Sequence, residues 1–150
     1  MHKLFAFLLL MIPFPMNKEF PFDNLKISEV YYEFTQETDE QDAEIELVVK
    51  FEPFMLEGEE VSPAFQFLGF SSPRMEQSVF SDGYHFSEED GLEPSTIYFQ
   101  SVHNPVDLKA LRIEKQGEAE VISFDLFFDF EYEGTGYKSE SRKFVFEKKP

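Results

Sequence analysis

Much of this chain alternates apolar and polar residues with a period of two, the pattern of a strand buried on one face. In Ile27–Gln36, the residues Val30, Tyr32 and Phe34 share one face, and Glu29, Tyr31, Glu33 and Thr35 share the other. In Ala43–Glu52, Ile45, Leu47, Val49 and Phe51 lie together, opposite Glu44, Glu46, Val48, Lys50 and Glu52. The longest run is VISFDLFFDFEYE, which predicts a strand with Ile122, Phe124, Leu126, Phe128, Phe130 and Tyr132 inward. Its other face carries Ser123, Asp125, Phe127, Asp129, Glu131 and Glu133. No window has helical spacing.

Shorter strands are expected over Ala64–Phe70, Thr96–Val102, Ala110–Lys115 and Lys138–Glu147. Gln116-Gly117-Glu118 separates two alternating runs and predicts a hairpin. Gly134-Thr135-Gly136 predicts another. The segment Pro53–Pro94 holds most of the turn-forming steps and reads as long loops around one short strand. These features predict an all-β, mainly antiparallel, β-sandwich-like single domain with a loop-rich middle. It spans residues 21–150, preceded by an apolar segment over residues 1–20 that is either signal-like or core-closing.

The register of the first hairpin can be read from the sequence. If Glu37–Asp42 forms the turn, the inward pairs become Phe34/Ile45, Tyr32/Leu47 and Val30/Val49, all of them apolar. The outward pairs become Thr35/Glu44, Glu33/Glu46, Tyr31/Val48 and Glu29/Lys50. This register sets Glu33 directly across from Glu46, an unfavourable like-charge pair.

Composition adds one constraint on the core. The chain has 20 Phe and 6 Tyr but neither Trp nor Cys. That much aromatic mass belongs to a folded chain. The absence of cysteine excludes disulfides and thiolate chemistry.

Charge changes the picture more. The 150 residues carry 30 acids and 13 bases, a formal net charge of −17. A field of that sign repels nucleic acid and anionic lipid and attracts basic proteins. The acids are unevenly placed: Ser28–Glu60 holds 12 against the single base Lys50, whereas Lys138, Arg142, Lys143, Lys148 and Lys149 gather near the C-terminus.

The sequence offers little for catalysis. His2, His85 and His103 form no pair at metal-binding spacing. No G-x-S-x-G elbow is present. TDEQDAE has Ala43 where a calcium loop needs glycine. Gly134-Thr135-Gly136 lacks the helix and lysine of a phosphate loop. No enzyme activity, metal or cofactor is expected.

The N-terminal residues MHKLFAFLLLMIP combine a short basic start with nine apolar residues, Leu4–Ile12. Nine residues are too few to span a bilayer, and no small-x-small cleavage site follows. The expectation is a cytoplasmic protein with no membrane span, the alternative being export through this stretch.

The candidate partner-binding residues are Glu29, Tyr31, Glu33, Glu44, Glu46 and Val48 on the first hairpin, with Asp125, Phe127, Asp129 and Glu131 on the long strand. Each set places an apolar or aromatic anchor among carboxylates, the makeup of a surface that meets a basic protein. The plain alternative is that Tyr31, Val48 and Phe127 pack beneath other strands or loops. The functional expectation is a non-enzymatic acidic inhibitor of a basic protein, such as a toxin domain, working as immunity proteins and nucleic-acid mimics do. The alternative is an exported or envelope-associated ligand-binding β-sandwich. An exposed edge at the short C-terminal strand makes a homodimer a further candidate.

Overall fold

The structure, a computed structural model, describes residues 18–35, 43–71, 84–87 and 93–150. Ten strands follow in chain order. They are β1 (Ile27–Thr35), β2 (Ala43–Phe51), β3 (Phe54–Leu56), β4 (Glu59–Val61), β5 (Ala64–Ser71), β6 (Tyr84–Ser87), β7 (Ser95–Phe99), β8 (Val102–Gln116), β9 (Ala119–Phe128) and β10 (Glu140–Lys148). One 3-10 turn, Phe22–Asn24, precedes them.

One sheet has the order β1-β2-β5. The second runs β10-β9-β8-β6, with β7 also paired to β8. β3 and β4 form a small separate hairpin. All these strand pairings are antiparallel. The two sheets approach at one corner, where Glu93 donates its backbone N–H to the Leu68 carbonyl at 3.1 Å and Gln66 donates to the Ser95 hydroxyl at 3.2 Å. The expected all-β sandwich is therefore the observed one.

The inward residues of the two sheets meet in one aromatic core. Phe51 and Phe65 of the first sheet contact Phe144 and Phe128 of the second, at centroid distances of 5.3 and 5.9 Å. Phe20 precedes the first strand, yet it is buried among Phe22, Phe99, Phe128, Phe130 and Tyr137. Fully burying such a ring is worth about 1.5–3 kcal/mol, so residues 18–20 belong to the sandwich. Lys18 also exchanges backbone hydrogen bonds with the segment ahead of β10, donating to Gly136 and accepting from Lys138. The rest of the apolar N-terminal stretch, residues 1–17, lies outside the described residues. Among the described residues no helix is long and apolar enough to cross a membrane.

Several elements differ from the sequence-based expectation. The expected strands Thr96–Val102 and Ala110–Lys115 are instead β7 and the far longer β8, with a turn at Gln100-Ser101. Pro105 is tolerated in β8 because it lies just past the end of the β8–β9 ladder, where no N–H is required of it, while its carbonyl accepts from the Asp129 N–H at 2.9 Å. A register irregularity at Lys109 then divides β8, which pairs with β7 over Val102–Val106 and with β6 over Ala110–Ile113. The middle segment contains β3, β4, β5 and β6, more strand than the turn residues suggested.

β9 ends at Phe128, earlier than expected, because Asp129 turns the chain. Its Oδ1 accepts from the Tyr132 backbone N–H at 3.1 Å and from the Ser139 hydroxyl at 3.2 Å. Tyr132, expected inward, is instead 74% exposed. The β9–β10 connection is a folded eleven-residue segment, 129–139, that buries Phe130 and Tyr137, and not a tight Gly-Thr-Gly hairpin. The Gly117-Glu118 hairpin forms as expected, with Gly117 at φ 65° and Gln116 opposite Ala119.

Candidate functional site

The first hairpin adopts the register read from the sequence. Glu29 lies opposite Lys50, Val30 opposite Val49, Tyr31 opposite Val48, Tyr32 opposite Leu47 and Glu33 opposite Glu46. Thr35 lies opposite Glu44, which is placed by this register alone because its side chain, like the turn at Glu37–Asp42, lies outside the described residues. Val30, Leu47 and Val49 are buried, which turns Glu29, Tyr31, Glu33, Glu46 and Val48 to the outer face.

β5 extends that face, a contribution the sequence reading missed. Gln66 pairs with Val48, and Leu68 with Glu46. The alternation of Phe65 and Phe67 inward with Gln66 and Leu68 outward was the available signal. The assembled surface has an apolar strip of Tyr31, half-buried Val48 and Leu68, with Tyr31 44% exposed. Tyr31 and Leu68 are both exposed to solvent.

The carboxylates of this face differ in how they are held. Glu29 forms an ion pair with Lys50, Nζ to Oε2 2.7 Å. Glu33 accepts from the Tyr31 hydroxyl at 2.5 Å, and Glu46 from the Gln66 side-chain amide at 2.6 Å. Neither Glu33 nor Glu46 is ion-paired to a base among the described residues. The pKa of Tyr31 is raised. The main cause is its hydrogen bond to Glu33; partial desolvation and the charges of Glu33 and Glu46 add to it. The phenol thus stays a donor, and the two carboxylates directly opposite each other are held by neutral donors.

The second candidate set is arranged differently. Phe127 is half-buried, with the Lys109 ammonium 5.7 Å from its ring centroid, a cation–π distance. Lys109 also lies 3.7 Å from Asp107. Asp125 stands between Ala110 of β8 and Lys143 of β10. With Ser123, Arg112 and Lys143 it borders a shallow depression of about 190 Å³. Asp129 and Glu131 do not continue the face of β9, since the strand ends at Phe128 and Asp129 serves the following turn. This surface is mixed in charge, unlike the acidic face of β1-β2-β5.

A third feature had no sequence signal. The tips of the β3–β4 and β7–β8 hairpins are joined through Gln100, and the two tips hold three non-glycine residues with positive φ: Glu57 (52°), Gln100 (51°) and Ser101 (61°). Gln100 donates its backbone N–H to Glu59 at 2.9 Å and its side-chain amide to Glu57 at 3.2 Å, and Glu57 is ion-paired with Lys18. Beside this junction the Tyr98 and His103 rings lie 4.7 Å apart, and Thr96 Oγ1 is 3.1 Å from His103 Nδ1. His85 is placed opposite Arg112 by strand register alone. Among the described residues no cluster of three His, Asp or Glu side chains is arranged to hold a metal. No protein-family model, curated protein or solved structure matches this chain.

Proposed function

We propose that the outer face of β1-β2-β5 docks a basic protein, and that the chain acts by occluding that partner without chemistry of its own. The observation that carries the reading is the Glu33/Glu46 pair. Side chains directly opposite on antiparallel strands lie about 5 Å apart at Cβ. Here two carboxylates share that spacing with only neutral donors to hold them. A guanidinium or ammonium inserted between them relieves the repulsion and gains two charge-assisted hydrogen bonds. Tyr31, Val48 and Leu68 supply the apolar contact that slows dissociation, and the net charge of −17 steers the encounter.

Such a surface suits an inhibitor of a cationic toxin domain, or of a protein whose basic groove ordinarily receives nucleic acid. In the second case the carboxylates stand where phosphates would. Immobilised protein should capture a basic protein from a native lysate at low salt and release most of it at high salt, while a Glu33→Lys/Glu46→Lys variant should capture none. Recovery of the same proteins by both forms at every salt concentration would overturn the reading.

A further inference from the structure

β1 ends the three-stranded sheet and β10 ends the five-stranded one, and neither has a further strand paired to its outer edge among the described residues. They lie on one flank of the sandwich. Tyr32 of β1 donates its hydroxyl to Glu120 of β9 at 2.8 Å, and the Phe144 ring of β10 contacts Phe51 of β2 at 5.3 Å. The edges differ in charge. β1 carries Glu29 and Glu33 and no base, whereas β10 carries Arg142, Lys143 and Lys148 against Glu140 and Glu147. Arg142 is ion-paired with Glu140, but Lys143 and Lys148 have no such pair among the described residues. Each edge also holds one exposed apolar side chain: Tyr31 on β1 and Val145, 61% exposed, on β10.

We infer that a second copy of this chain adds its β10 edge to β1. Pairing β1 with another β1 sets glutamates against glutamates, so charge disfavours that match and favours the mixed one. When Tyr31 is set beside the second copy's Val145, Lys143 falls beside one of the two glutamates flanking Tyr31, whichever way the strands run. The other glutamate meets Glu147, and that repulsion keeps the association weak. Because both edges occupy one flank, a two-fold axis along the strands joins β1 to β10 and β10 to β1 at once. The result is a closed dimer and not an open chain. Tyr31 and Glu33 belong both to this junction and to the face proposed to dock a basic partner, so the two associations compete.

Sedimentation of the chain alone, from about 1 μM to about 1 mM, tests the dimer separately from the basic partner. A monomer–dimer equilibrium that weakens with salt is expected. Lys143→Glu should raise its dissociation constant about tenfold, Val145→Asp should weaken it as well, and Glu29→Lys/Glu33→Lys combined with Lys143→Glu should restore it. A monomer at every concentration, a dimer indifferent to both β10 substitutions, or open-ended assembly would overturn the inference.

Discussion

Glu33 and Glu46 face each other across β1 and β2, and each carboxylate is held by a neutral donor, Tyr31 or Gln66, with no base between them. Repulsion between opposed like charges is a standing cost to the hairpin. Glu46→Gln should therefore raise unfolding stability by about 0.2–1 kcal/mol at low salt, and the gain should shrink as salt screens the pair. Urea denaturation at two ionic strengths measures it. The same variant should bind a basic partner less tightly, which separates a cost borne for binding from a defect in folding.

Tyr32 lies one residue from Tyr31 but on the other face, and its phenol donates to Glu120 across the sandwich. Its pKa is raised, first by burial, then by that hydrogen bond and by the nearby negative charge. The protonated phenol is thus favoured in the folded state. Its contribution to stability is fully present below the unfolded value near 10 and is lost as pH rises towards the folded value. Absorbance titration should show a tyrosine fraction that ionises late, and Tyr32→Phe should diminish that fraction, to which Tyr31 and Tyr137 also contribute. An unchanged titration curve in the variant would contradict the assignment.

Ser101 sits at φ 61° in the two-residue turn between β7 and β8. A left-handed conformation costs a residue with a Cβ roughly 1–2 kcal/mol, whereas glycine adopts it freely but loses more chain entropy on folding. Ser101→Gly should give a net gain of roughly 0.5–1 kcal/mol, read as a higher urea midpoint. Gln100 is a poorer site for the same change, because its side chain ties the turn to Glu57.

The β1–β2 register was legible because each inward position is apolar in one alignment and each outward position is polar or small enough to stay at the surface. That regularity also revealed the Glu33/Glu46 opposition. The β7–β8 turn was not legible, because Gln100 and Ser101 lack the glycine or asparagine that usually marks positive φ. Residues 103–109 of β8 lay outside the expected strands, since Pro105 has no N–H for a ladder and gives no strand signal until its pairing partners are known. Tyr132 continued a perfect alternation, and only the hydrogen bonds from Tyr132 and Ser139 to Asp129 show why the strand stops before it. Periodicity reports which face a residue takes within a strand, but the end of a strand is set by side-chain bonds that pattern does not carry. The role of β5 in the acidic face was obscured for a related reason. Gln66 and Leu68 are ordinary outward residues until β5 is known to flank β2.

The burial of Phe20 has a consequence for the order in which the chain is made. Its ring is packed against Phe128, Phe130 and Tyr137, roughly a hundred residues further on, and Lys18 bonds to the backbone on either side of Tyr137. During synthesis Phe20 leaves the ribosome long before any of these partners exists. The first sheet can assemble early, but its inner face, with Phe51 and Phe65, must wait for Phe128 and Phe144. The nascent chain thus carries unsatisfied aromatic surface until translation is nearly complete, the interval in which such surface invites aggregation. The dense carboxylates of Ser28–Glu60 emerge directly after Phe20. Their mutual repulsion opposes close approach of neighbouring nascent chains over that interval.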